Sequence, residues 1–238
     1  AEIEDIELFK DIENEYDRKY AANIFSLDRE IGKILNSLEE GNILDNTIII
    51  FFSDNGPVFD VDPIAKVIAP DLLSARGNSG ELRGSKLSAY EGGIRVPTIA
   101  TWPNKIKAGT KSNHPSIFYD YFATVCDVLG VKPPYPIDGI SYYASLTGKP
   151  QQQHDYLYWE FPAYGGQQAI RMGTWKGFKK NLFKGMSDLQ LYDLSKDPKE
   201  LNDLSAKYPE IVQKMENFLD QAHTTASQEK FRIPILEE

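Results

Sequence analysis

Thr47-Ile48-Ile49-Ile50-Phe51-Phe52, followed at once by Ser53-Asp54-Asn55-Gly56, is the stretch whose reading decides the fold. An unbroken run of β-branched and aromatic residues predicts a buried strand. The turn-forming quartet that closes it sets a carboxylate and an amide side by side at the strand's carboxyl end, where open α/β sheets place their chemistry.

Upstream, Tyr20, Ile24, Leu27, Ile31, Ile34 and Leu38 step by fours and threes, which lines one face of a helix, and Gly41 ends it. A helix leading into a buried strand is an α/β signature. Downstream, Asn55 to Leu82 reads as a long loop. It leads to Leu82-Arg83-Gly84-Ser85-Lys86 and on to Tyr90-Glu91-Gly92-Gly93-Ile94-Arg95-Val96-Pro97. Ile94 to Trp102 is a second β-like run in which Pro97 argues for an edge or a bulge. Ser116 to Leu129 has a second helical stripe stopped by Gly130, and Lys132-Pro133-Pro134-Tyr135-Pro136 is a rigid linker.

After Gln153 the texture changes. Tyr156 to Phe161, Gln168 to Phe178 and Leu189 to Leu194 are short β-type runs, and Ile211, Met215, Phe218 and Leu219 mark one amphipathic helix. The expected organisation is an α/β part over residues 1–150 and a small antiparallel sheet domain with a packed helix over 151–238.

The formal charge is −9 from 26 basic and 35 acidic side chains, and the basic residues form no cluster that would track a phosphate backbone, so nucleic acid is not an expected partner. No apolar run approaches the ~20 residues of a membrane helix. Cys126 is the one cysteine, which excludes an internal disulfide. The acidic start, Ala1-Glu2-Ile3-Glu4-Asp5, lacks a signal peptide and an initiator methionine, and reads as a chain that begins partway through a longer protein.

Asp54 and Asn55 offer hard oxygen donors suited to calcium or magnesium, too few to complete a shell, or else form an ordinary Asp-Asn-Gly turn. Lys86, between Arg83-Gly84 and Gly92-Gly93, either holds an anionic group as a point charge or is a solvated surface lysine. The glycines are read as openings for a ligand to reach the backbone. Glu91 and Arg95 suit a structural ion pair, and Cys126 suits a core thiol. His114, His154 and His223 lack metal-ligand spacing, the first two reading as loop residues and the third as a helix-end residue.

These motifs, taken in order, resemble the sulfatase family within the alkaline-phosphatase-like hydrolases. The resemblance runs from Tyr20 onward and matches the family's carboxyl-terminal half. Tyr156-Leu157-Tyr158-Trp159-Glu160-Phe161, Ala169-Ile170-Arg171-Met172-Gly173-Thr174-Trp175-Lys176 and Leu191-Tyr192-Asp193-Leu194 look like its small carboxyl-terminal domain. The resemblance implies that Asp54 and Asn55 are Ca2+ ligands and that Lys86 contacts the sulfate of a sulfate ester, with a carbohydrate sulfate preferred over an aryl sulfate.

It also implies a formylglycine nucleophile made from a cysteine in a C-x-P-S-R context, together with further aspartate and histidine ligands, all upstream of these residues. Cys126 is followed by Asp127-Val128-Leu129-Gly130 and does not match that context, so the isolated chain is expected to be inactive. Where relatives often carry a histidine after Gly-Pro, this chain has Pro57-Val58-Phe59. Two other readings stand beside this one: a phosphatase or phosphonate hydrolase of the same superfamily, and a non-catalytic glycan-binding module built on the aromatic strand from Tyr156 to Phe161. By resemblance to exported bacterial members, the parent is placed in the periplasm or outside the cell.

Overall fold

The computed structural model describes residues 2–58, 77–185 and 188–237. In chain order the helices and strands are α1 (Ile3–Glu7), α2 (Glu15–Glu40), β1 (Ile49–Phe52), α3 (Glu91–Ile94), β2 (Thr98–Thr101), α4 (Asp120–Leu129) and α5 (Tyr143–Leu146). They continue with β3 (Leu157–Phe161), β4 (Gln167–Met172), β5 (Trp175–Lys180), β6 (Gln190–Asp193) and α6 (Pro209–Ala222). No described helix is long and apolar enough to cross a membrane. The chain divides into two compact units: Ala1–Leu27 with Ser53–Pro97 and Tyr156–Glu238, and Asp28–Phe52 with Thr98–Asp155.

The first unit is built on an antiparallel sheet in the order β3-β4-β5-β6. The run from Gln168 to Phe178 is two strands rather than one, because Gly173, at φ +60°, lets Met172 turn back to pair with Trp175. Alternation then gives the sheet two different apolar faces. Ile170 and Leu191 point to one face, where Met215 and Leu219 of α6 complete a cluster with Leu189. Ala169, Phe178 and Tyr192 point to the other, where they pack with Trp159 and with Ala89 and Tyr90 from the loop that follows Lys86. The small carboxyl-terminal sheet thus has its helix on one face and the glycine-flanked loop on the other.

In the second unit β1 pairs antiparallel with β2, from Ile49 opposite Thr101 to Phe52 opposite Thr98. β2 begins immediately after Pro97, whose missing N–H is compatible with a strand start. The apolar run from Thr47 is less buried than its composition suggests: Phe51 is 43% and Phe52 37% exposed. β1 has one strand partner in a two-stranded sheet, so β-branched and aromatic content here does not amount to enclosure. Phe52 does meet Phe118 edge-on at 5.0 Å. The α4 helix ends at Gly130, at φ +68°, and buries the Cys126 thiol as a core group.

Candidate active site

The Asp54 and Lys86 loops are fastened to each other by backbone hydrogen bonds. The Gly56 N–H donates to the Gly93 carbonyl at 2.8 Å, and the Lys86 N–H donates to the Pro57 carbonyl at 2.8 Å. The Gly92 N–H closes the Lys86 loop on the Arg83 carbonyl at 2.7 Å. A Cβ on Gly56 would lie 1.8 Å from the Gly92 carbonyl oxygen, and one on Gly92 2.3 Å from that of Gly84. These glycines therefore admit the chain's own backbone. The expectation that they open the backbone to a ligand gives way to a packing role, because the space beside Gly56 and Gly92 is already filled by carbonyl groups.

Within this frame Asp54 is exposed and Asn55 half-buried. The Ser53 hydroxyl donates to the Asn55 carbonyl at 2.8 Å, and the Asn55 side-chain N–H donates to the Gly56 carbonyl at 2.9 Å. With Nδ2 so engaged, Oδ1 is the Asn55 atom suited to a cation, beside the Asp54 carboxylate. The donor chemistry fits calcium as part of a shell. Among the described residues no group of three or more His, Cys, Asp or Glu stands ready to hold a metal. Lys86 is half-buried, and Leu87 directly after it sits at φ +76°, a conformation costly for a branched side chain and held here by its neighbours.

Those neighbours form a buried ionic cluster. The Lys176 ammonium lies 2.9 Å from Glu91 Oε1 and 2.9 Å from Glu200 Oε1, and all three side chains are almost wholly out of solvent. Glu200 Oε2 accepts the Glu91 N–H at 2.7 Å, and the Glu200 carbonyl accepts from the Arg83 guanidinium at 2.6 Å. Arg83 also covers the Tyr90 ring at 4.1 Å. Gln167 of β4 completes the attachment, its Oε1 accepting the Ala89 N–H and its Nε2 donating to the Leu87 carbonyl, both at 3.1 Å. Burial pushes the Glu200 carboxyl up, with Lys176 opposing the shift, and burial likewise raises the Tyr90 phenol against the pull of Arg83.

Glu91 does face Arg95, but at 3.9 Å, so its close partner is Lys176 rather than the expected arginine. Lys176 carries no sequence signal that separates it from Lys179 and Lys180 of the same strand, and its partners lie 85 and 24 positions away. The histidines have structural settings. His154 Nε2 is 2.7 Å from Asp120 Oδ1, and that buried carboxylate also accepts the Ile140 N–H at 2.9 Å and the Ile117 N–H at 3.1 Å. His223, at the end of α6, places Nδ1 2.8 Å from Glu160 Oε2. Phe59, in the stretch where relatives often carry a histidine, lies outside the described residues.

The fold thus sets a sheet-anchored, glycine-fitted pair of loops presenting oxygen donors and a lysine side by side. Comparison with known proteins gives the family. The profile of the family Sulfatase matches residues 4–131, and that of the N-sulphoglucosamine sulphohydrolase C-terminal region matches residues 85–225. The chain belongs to the sulfatase family.

It is 33% identical over 218 residues to N-acetylgalactosamine-6-O-sulfatase of Bacteroides thetaiotaomicron, a match covering 84% of this chain and 41% of that protein. Human steryl-sulfatase is 30% identical over 240 residues, covering 86% of this chain and 40% of the relative. The crystal structure of Ps i-CgsB in complex with k-i-k-neocarrahexaose superposes with a TM-score of 0.75 at 30% identity, covering 92% of this chain and 46% of that one. The chain thus spans less than half the length of these relatives.

Proposed function

We propose that this chain is the carboxyl-terminal part of a sulfatase that hydrolyses a sulfate ester, with sulfated carbohydrate as the substrate class, in a parent exported from the cytoplasm. The observation that supports the reading is the clasp between the Asp54-Asn55 and Lys86 loops, Gly56 to Gly93 and Lys86 to Pro57, which ties the two loops together through their backbones. Rigid placement is what electrostatic catalysis requires, since fixed charges stabilise a developing charge without reorganising.

In this reading the Asp54 carboxylate and the Asn55 Oδ1 hold calcium, and the Lys86 ammonium binds a sulfate oxygen. Bound calcium supplies positive charge to the sulfate group. The Lys176–Glu91–Glu200 cluster and Gln167 position the Lys86 loop without touching the ester. Cys126, buried in α4, plays no part; the nucleophile, a formylglycine by family resemblance, comes from the rest of the parent. Wide apolar exposure supports that division: Ile24 and Leu27 of α2 are each 51% exposed and Ile99 of β2 is 63% exposed, as expected of surfaces that another part of a longer protein covers.

The test is made on the full-length protein. Asp54→Ala and Lys86→Ala are each expected to lower kcat/KM for a sulfated saccharide by roughly 10²-fold or more, and calcium chelation to remove activity from the wild type. Full activity in both variants would sink the site assignment. The isolated chain is expected to hydrolyse nothing and to bind calcium weakly, because Asp54 and Asn55 leave most of a shell of ~6–8 oxygens unfilled.

A further inference from the structure

β3 sorts its aromatic side chains by face. Tyr158 donates to Glu160 and accepts from Gln168, and it packs on the α6 side of the sheet. Trp159, on the opposite face, packs with Ala89 and Tyr90 of the Lys86 loop. By alternation Phe161 shares the face of Trp159. Its cross-strand partner is Gln167, the residue whose amide grips the Leu87 carbonyl and the Ala89 N–H. Directly opposed side chains in an antiparallel pair have Cβ atoms about 4.5–5.5 Å apart. Phe161 is thus one cross-strand step from the group that holds the backbone next to Lys86.

Phe161 does not end in the core. Its ring is stacked on that of Tyr164, with centroids 6.0 Å apart and planes within 14°, and both residues are half-buried. Tyr164 holds this place at φ +52°, at the start of three successive left-handed residues completed by Gly165 and Gly166. That conformation is cheap for the two glycines and costly for a tyrosine, whose Cβ crowds the following carbonyl. The turn is held from beneath, since the Phe183 N–H donates to the Gly165 carbonyl at 2.9 Å and the Leu182 N–H to that of Gly166 at 3.2 Å. A side chain kept at a strained position, in a turn fixed by other contacts, stacked on a second ring and close to the Lys86 loop points to recognition.

We propose that Phe161 and Tyr164 form a stacking platform for a pyranose ring of the carbohydrate substrate, next to the sulfate-binding Lys86 loop. The face of a sugar ring that carries axial C–H groups is apolar and slightly positive, and it complements the negative face of an aromatic ring. Half-burial suits this role, because part of each residue is held by the protein and part remains open to solvent. The platform gives the saccharide a contact that a small aryl sulfate does not make. The proposal rests on the sulfatase reading for the identity of the reacting group, and on this hairpin alone for the sugar contact.

Two measurements on the full-length protein separate the two ideas. Calorimetry with neocarrahexaose and with N-acetylgalactosamine 6-sulfate reads the platform directly. Saturable binding of at least one by the wild type, weakened tenfold or more in Phe161→Ala and in Tyr164→Gly, is the expected result. Tyr164→Gly deletes the ring while relieving the backbone, so its loss of binding is not a loss of fold. Tyr164→Phe is expected to bind like the wild type. Turnover then places the platform relative to the reaction: KM for the saccharide sulfate rises in Phe161→Ala and Tyr164→Gly, while kcat/KM for 4-nitrophenyl sulfate stays within twofold. Absence of saturable binding by the wild type, unchanged binding in both variants, or an equal loss on the aryl sulfate overturns the platform. Saccharide binding that depends on both rings, in a protein that cleaves no sulfate ester, upholds the platform and overturns the sulfatase reading.

Discussion

The Lys176 ammonium lies 2.9 Å from the Glu91 carboxylate, with both side chains almost wholly removed from solvent. One residue is the second of strand β5 in the small carboxyl-terminal sheet, and the other opens the helical turn that ends the Lys86 loop. Glu200 binds the same ammonium and, through its second oxygen, the Glu91 N–H, so one lysine and two glutamates join three chain segments at a point. The contact fixes the Lys86 loop to the carboxyl-terminal sheet, which is the floor on which that loop is set.

Removing the cation at this point leaves two buried carboxylates facing each other. Lys176→Met is expected to destabilise the protein by about 3–5 kcal/mol, the usual cost of stripping one partner from a buried ion pair. Urea unfolding of the purified variant measures it. A cost below about 1 kcal/mol would mean that the cluster is solvated or rearranges freely.

Gly56→Ala tests the clasp itself. The added Cβ would fall 1.8 Å from the Gly92 carbonyl oxygen, and backbone lies on both sides, so neither loop has a side chain that can give way. The two loops must separate, breaking the Gly56 to Gly93 hydrogen bond. A 1 Å displacement in such a frame can cost ~10²-fold in rate. In the full-length protein kcat is expected to fall on that scale while the substrate-independent melting temperature drops only a few degrees; wild-type kcat would contradict the clasp.

His114 gives a pH signature. Burial lowers its pKa in the folded protein, and its buried Nδ1 has no hydrogen-bond partner among the described residues. The folded state therefore prefers the neutral ring, whereas the unfolded chain takes up a proton near pH ~6.5. The stability tied to this group is complete above that value and is lost as pH falls through it toward the folded pKa. His114→Gln removes the term. Its stability relative to the wild type should accordingly improve between pH 7 and pH 5, as followed by unfolding at each pH, and a constant difference would show that His114 is solvated.

Local chemistry made much of this readable in advance. Gly41 and Gly130 close α2 and α4 where the sequence places stops, and the strand-turn quartet after Phe52 is directly legible. Three things were hidden. Burial of the Thr47–Phe52 run depends on what lies against it, which β content does not specify. The two-strand nature of the Gln168–Phe178 run turns on one glycine inside an otherwise continuous pattern. The Lys176–Glu91 pair and the clamp of Gln167 on Leu87 join positions 85 and 80 residues apart, where no periodicity links them. Asp54, Asn55 and Lys86 stand out in the sequence beside their glycines; the residues that hold their loops do not, since a buried lysine and a surface lysine look alike in sequence.

Gly177, in the middle of β5, places two effects in opposition. Its φ is outside the left-handed region, so alanine can adopt the backbone, and the loss of freedom in the unfolded chain alone would stabilise by about 0.4–1 kcal/mol. Against this, the new Cβ would meet Leu189 Cδ1 at 2.9 Å, Ile170 Cγ2 at 3.0 Å and Met215 Sδ at 3.0 Å, all in the cluster that seats α6 on the sheet. Overpacking of a filled core costs about 1–3 kcal/mol, so the larger effect is destabilising. The thioether is the most adaptable of the three neighbours, which identifies where relief should come from. Gly177→Ala is expected to lose about 1 kcal/mol net. Combined with Met215→Val, which removes the δ atom, the pair should lose less than the sum of the single changes by about 0.5 kcal/mol or more, as contacting residues do. Urea unfolding of the two single variants and the double variant completes the cycle. Strict additivity would place Met215 away from β5 and α6 off this face of the sheet.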